Sequence, residues 1–191
     1  MPFKYLIENP PEKTLRYLAL FGALLIIIMM PVVIGLLEMS NYSGTIEETQ
    51  LGFSGTYIKS KFIPMSNHEM SLFILANIFD YFFMLGYGIF FFSTALLLAR
   101  RLTKGSIWSK IGCCMAILGI VSACCDGLEN IFLLSMASNP INFPNWWAIG
   151  HSCFALAKFI QMYIAIGGII LMTLVIVVSR LIKRNVDKGG L

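Results

Sequence analysis

Apolar positions in this chain run together instead of recurring at intervals. Four stretches, at 18–37, about 71–99, about 111–136 and about 147–179, are almost free of charge. The first, Leu18 to Leu37, is twenty residues without one ionisable side chain. A bilayer core about 30 Å thick needs about 20 residues of helix to cross it, so each stretch reads as a transmembrane helix. The longest remainder, 38–70, is shorter than the roughly 50 residues at which independent domains begin. No internal repeat and no Pro/Ser-rich linker divides the chain. The predicted fold is therefore all-α: residues 1–191 form a single integral membrane four-helix bundle, with one long loop between its first and second helices.

A cleaved signal peptide would show a shorter apolar core, about 7 to 15 residues, before an A-x-A-like site. Here the run is twenty residues and Met30-Pro31 interrupts it, which predicts a retained first helix, kinked at Pro31, with neighbours re-satisfying the freed carbonyl.

Composition agrees with the pattern. Hydrophobic residues make up 58% of the chain and charged ones 13%, with a mean hydropathy of +0.79; soluble domains are about a quarter charged. These values exclude a soluble enzyme, a nucleic-acid binder and a disordered chain. The net charge of +4 is explained by where the basic residues stand. Lys4, Lys13 and Arg16 precede the first span, and Arg100, Arg101, Lys104 and Lys110 lie between the second and third. Arg180, Lys183, Arg184 and Lys188 follow the fourth. Only Lys59 and Lys61 fall on the opposite side. Cytoplasmic flanks are enriched in Lys and Arg, so both termini are expected in the cytoplasm and 38–70 outside it, with the plasma (cytoplasmic) membrane as the expected residence. Trp108 would mark the inner interface and Trp146 with Trp147 the outer one.

In the long loop, Thr49 to Tyr57 alternates loosely, with Leu51, Phe53 and Tyr57 on one side. That spacing predicts a strand lying on an apolar surface, folded down as a lid or serving as a plain connector. Asn41-Tyr42-Ser43 is a glycosylation sequon, which matters only in a secretory compartment.

The candidate chemistry lies inside the spans. Asp80, Asp126, Glu129 and Lys158 are charged, and Asn77, Asn130, His151 and Gln161 accompany them. A charge at the bilayer centre costs at least about 2.5 kcal/mol on insertion scales, so such residues face the interior and are functional candidates. Counted from the outer ends of their helices, Asp80, Asp126 and Lys158 lie about 14 to 17 Å deep at 1.5 Å per residue, which puts them on one level. Residues three, four and seven apart share a helix face. Asn77, Asp80 and Tyr87 therefore form one stripe, Asp126, Glu129 and Asn130 a second, and His151, Lys158 and Gln161 a third. Three acids face one base. If Lys158 pairs with Asp80 or Asp126, a carboxyl is left whose charge a proton, a cation or a basic ligand would balance. The competing reading is a buried ion and hydrogen-bond network that fixes helix register.

Other motifs fail. The cysteines, Cys113, Cys114, Cys124, Cys125 and Cys153, all lie in spans and contain no C-x-x-C; Cys113 and Cys124 stand about 16 Å apart along a helix axis. They read as packing residues. His68-Glu69 meets Leu72 where a zincin needs its second histidine. With His151 the only histidine in the spans, a bis-histidine haem within the chain is excluded. Gly52-Phe53-Ser54-Gly55 lacks the spacing of a nucleophile elbow, and no G-x-G-D accompanies the aspartates. No metal and no cofactor is expected.

In these residues the chain resembles a group of small, uncharacterised microbial four-helix integral membrane proteins. The likeness rests on Phe79-Asp80-Tyr81 with Tyr87, Asp126-Gly127-Leu128-Glu129-Asn130, Ala157-Lys158, and Gln50-Leu51-Gly52-Phe53, with D-x-x-E-N its most specific element. The resemblance implies an architecture and a polar cluster, and no reaction.

The reading that follows is a multi-pass membrane protein with a polar intramembrane pocket open to the outer side, binding a small ligand or cation with proton coupling. Asp80, Asp126 and Glu129 would accept the proton or cation, Lys158 would be the counter-charge, and His151 near the mouth would relay protons. Two alternatives stand beside it: a structural or assembly subunit of a membrane complex, and a membrane enzyme acting on a lipid or amphipathic substrate, with no catalytic residue assigned. The expected partners are the lipid bilayer and a second copy or another membrane protein, with no nucleic acid.

Overall fold

The computed structural model describes residues 3–189. Seven helices follow one another: α1 (Lys4–Glu8), α2 (Glu12–Met39), α3 (Ile46–Leu51), α4 (Gly55–Phe62), α5 (Asn67–Arg101), α6 (Ile107–Ser138) and α7 (Asn145–Gly189). Among the described residues there is no strand. α2, α5, α6 and α7 are long and apolar enough to cross a membrane, and each contains one of the four apolar stretches. They overrun those stretches because polar residues at their ends cap them. Ser66 and Glu69 form a reciprocal capping box that starts α5 before its apolar run, and Ser106 caps α6 through the Ser109 amide. α2 runs through Pro31 as one helix.

The expected strand at 49–57 is not formed. Thr45 accepts a hydrogen bond from the Glu48 amide at 3.1 Å, and Glu47 and Glu48 occupy the first turn, where acids suit the helix dipole. Ser54 does the same for Tyr57 at 3.2 Å, with Lys59 and Lys61 in the last turn of α4. Two capped helical turns thus outcompete a weak alternation. Phe53, between them, sits at φ +50°, a backbone region that bulky residues rarely enter. Asn41, also at φ +50°, is of a type that tolerates it. Its side-chain amide donates to Glu69 at 2.8 Å, tying the end of α2 to the start of α5.

Two apolar clusters mark the ends of the bundle. At one, Leu15 of α2 meets Ala95 and Leu96 of α5, Cys113 and Ala116 of α6, and Met172 of α7. Arg100 there donates to the carbonyls of Leu6 and Pro10, binding α1 to α5. At the other, Ile58 and Phe62 of α4 pack with Phe73, Leu133, Met136, Phe143 and Ala148. Successive long helices are therefore antiparallel, and α3 and α4 lie across one end.

α5 and α6 form the central pair, with α2 against α5 and α7 against α6. The outer helices expose apolar sides, such as Leu20, Leu24, Ile27 and Ile28 on α2 and Ile164, Leu171 and Leu174 on α7. These faces suit an acyl-chain environment. Where helices touch, small residues permit it. A Cβ on Gly22 would stand 2.6 Å from the Gly86 carbonyl, and one on Gly119 2.6 Å from the Phe91 Cβ.

Gly22→Val should therefore force α2 off α5 and cost about 1–3 kcal/mol in unfolding of the detergent-solubilised protein. Gly35→Val, where nothing lies within 4 Å of the added carbon, should leave stability unchanged or slightly raised.

The α3–α4 contact makes a second prediction. Tyr57 donates to Glu48 at 2.6 Å, and that carboxylate pushes the phenol up to about 12. A raised folded value means that the contact contributes fully below the ordinary 10.0 and is lost as pH rises through about 12. The difference in phenolate absorbance between wild type and Tyr57→Phe should titrate near 12, and Glu48→Gln should bring it back toward 10.

Candidate functional site

Helical phase places the polar stripes toward one another. α5 carries Asn77, Asp80 and Tyr87; α6 carries Asp126, Glu129 and Asn130; α7 carries His151 and Lys158. All but Asp80 are buried, and Asp80 is partly so. Lys158 is the centre. Its Nζ donates to Asp126 Oδ1 at 2.9 Å and lies 2.5 Å from Glu129 Oε2. Asp126 and Glu129, one turn apart on α6, both face α7, so one ammonium reaches the two carboxylates. Tyr87 of α5 donates its hydroxyl to Asp126 Oδ2 at 2.8 Å. Three helices are thus joined through a single aspartate. His151, fully buried, places Nδ1 3.2 Å from the Glu129 main-chain oxygen and Nε2 4.0 Å from Glu129 Oε1.

Asp80 belongs to an adjoining group. Its Oδ2 accepts from Asn130 Nδ2 at 2.9 Å, and the same amide approaches the Asn77 carbonyl at 3.3 Å. Asn77 in turn donates to the Phe73 carbonyl at 2.7 Å. The pairing of Lys158 is therefore with Asp126 and Glu129. Asp80 is held on the α5–α6 seam, at the level of Asn130, one helical turn along α6 from Asp126. Gln161 stands apart: its amide reaches only the Cys125 sulfur, at 3.7 Å.

Sequence reasoning passed over three residues that the site uses. Ser122 donates to the Lys158 carbonyl at 3.2 Å; it lies four residues before Asp126, on the same stripe, and that spacing was the available signal. Tyr81 donates to the Gly127 carbonyl at 3.1 Å. Glu38, read only as a span boundary, lines a cavity.

That cavity, about 480 Å³, lies between α2, α5, α6 and the α2–α5 connection. α2 and α5 touch at Gly22 and Gly86, and the space opens farther along, from Met30 to Glu38 on one side and Phe73 to Phe83 on the other. Met30, Ile34, Leu37 and Phe83 give it apolar walls, Tyr42 and Gln50 come from the connection, and Asn77, Asp80 and Asn130 form its polar side. Its two charged residues are Glu38 and Asp80, both acids. The Gln50 side-chain oxygen is buried without a hydrogen-bond partner.

Compared with family models, with curated proteins and with solved structures, the chain finds no match. The reading of the site therefore rests on its own geometry.

Lys158→Met would leave two buried carboxylates without their cation. We expect a loss of about 3–5 kcal/mol in unfolding stability, measured in detergent or nanodiscs, whereas Ser122→Ala, which deletes one neutral hydrogen bond, should cost no more than about 1.5 kcal/mol.

Proposed function

We propose that this is a plasma-membrane protein that binds a small organic cation in the cavity beside Asp80, entering from the outer side, with both termini in the cytoplasm. The observation that carries the reading is the chemistry of the lining: apolar walls, two carboxylates, an unpartnered amide oxygen and, among the described residues, no basic one. The two carboxylates there attract positive charge, and the Gln50 oxygen accepts hydrogen bonds. A ligand that matches it carries a positive centre on an apolar body. The volume falls within the roughly 300–1,000 Å³ of small-molecule sites.

Division of labour within the cluster supports the same reading. Lys158 is engaged by Asp126 and Glu129, so it does not neutralise Asp80. The Asp80 carboxylate keeps only an amide partner, and a cation in the cavity would supply its counter-charge. The eleven basic residues on the side of the termini support the orientation, which would put α3 and α4 over the outer mouth.

The test is binding of tetraphenylphosphonium to the purified protein in nanodiscs, followed by titration calorimetry. We expect saturable binding that weakens at least tenfold in Asp80→Asn, and no binding of neutral tetraphenylmethane. Equal affinity of wild type and Asp80→Asn, or no saturable binding at all, would overturn the reading.

A further inference from the structure

Glu129 and His151 pose a hydrogen-bonding problem that Lys158 does not solve. Both side chains are 0% exposed, and both Glu129 Oε1 and His151 Nε2 are buried without a hydrogen-bond partner while standing 4.0 Å apart. The other ring nitrogen, Nδ1, faces the Glu129 carbonyl oxygen at 3.2 Å. A carbonyl oxygen only accepts, and a neutral imidazole has one N–H. If that hydrogen is on Nδ1, the lone pair of Nε2 faces the carboxylate. If it is on Nε2, the lone pair of Nδ1 faces the carbonyl. Either neutral tautomer beside an ionised Glu129 leaves two acceptors opposed inside the protein, an arrangement that burial makes costly.

One further proton removes the conflict in either position. On Glu129 it makes an acid whose hydroxyl faces Nε2 across 4.0 Å; on His151 it makes an imidazolium that donates to the main-chain oxygen and faces Oε1 with its second N–H. We infer that Glu129 and His151 together hold one exchangeable proton, forming a proton-binding site within the helical core. No electron moves and no covalent bond other than the one to the proton changes. Charge counting agrees. With the proton shared, Glu129 and His151 sum to zero, Lys158 and Asp126 sum to zero, and of the cluster's acids Asp80 is the one left to face the cavity beside Glu38.

Around the pair, α6 contributes Asp126, bound to Lys158; α7 contributes Lys158 itself, at Glu129 Oε2. α5 contributes Tyr87 on Asp126 and, farther off, Asp80 on Asn130. From the α3 side comes the buried Thr49, whose main-chain carbonyl faces the His151 ring. The connection that carries it is fastened to α7 by the Phe53 amide on Ser152 Oγ at 3.1 Å and the Gly55 amide on Asn145 at 2.8 Å. Proton exchange with the solution beyond α3 would pass this contact. The inference rests on the cluster and deepens the proton coupling of the proposed function without depending on the cavity.

The experiment reads the proton directly in the folded protein. The chain has two histidines, so ¹⁵N-histidine labelling in a His68→Gln background isolates His151 in nanodiscs at pH 7, and infrared spectra of the same sample report protonated carboxyl groups. We expect either a doubly protonated His151 ring, or a neutral ring with a carboxylic-acid band that Glu129→Gln removes and Asp80→Asn leaves. Glu129→Gln can still donate from its amide to Nε2, so it should fold. A neutral ring with no acid band, or with a band lost only in Asp80→Asn, would overturn the inference. Neither result depends on whether tetraphenylphosphonium binds.

Discussion

The ammonium of Lys158 is the constraint around which the central helices are arranged. A cation withdrawn from water at this depth is tolerable only with counter-charge in contact, and Asp126 and Glu129 both lie within 3 Å of it. Those two contacts require α6 and α7 to be neighbours with their polar stripes facing. The Tyr87 hydroxyl on the same aspartate extends the requirement to α5. Rotation of any of the three helices by a fraction of a turn would expose a charge to an apolar surrounding, so the cluster fixes rotation as well as adjacency.

α2 is held by different physics. It has no ionisable residue between Arg16 and Glu38 that would need a partner, apart from the phenol of Tyr17, which lies before the apolar run. Its attachment to α5 comes from close backbone approach at Gly22 and Gly86. Leu15 on Ala95 and Leu96 and the Asn41 amide on Glu69 join the two helices at their ends, and because dispersion at the glycine contact is short-ranged, the helices part between Gly22 and Asn41. The cavity occupies that divergence. Its acidic lining follows, since the side of Asp80 away from Asn130 is the side that α2 leaves uncovered.

The two regimes meet at the connection between α2 and α5. Ile58 and Phe62 bury apolar area against α5, α6 and α7, while Phe53 and Gly55 spend their amides on polar side chains of α7. The segment is thereby tied to the charged side of the molecule, and through Tyr42, Thr49 and Gln50 it also walls the cavity. A single element touches both the proposed cation site and the cover of the Glu129–His151 pair.

Sequence alone determined the four long helices and the stripes of polar residues on three of them. Both are local properties: twenty apolar residues have one stable solution where backbone groups must satisfy one another, and residues three and four apart share a face whatever lies opposite. The helices at 46–51 and 55–62 were missed because the capping by Thr45 and Ser54 is a stronger local signal than the loose alternation of Leu51, Phe53 and Tyr57 that suggested a strand. Only the tertiary structure decided which acids take Lys158, that Asp80 falls to Asn130, that Gln161 reaches only Cys125, and that His151 faces the main-chain oxygen and one carboxyl oxygen of Glu129. These outcomes depend on the relative rotation of helices far apart in the chain and on how far a lysine or tyrosine side chain reaches across the gap, neither of which leaves a mark on periodicity.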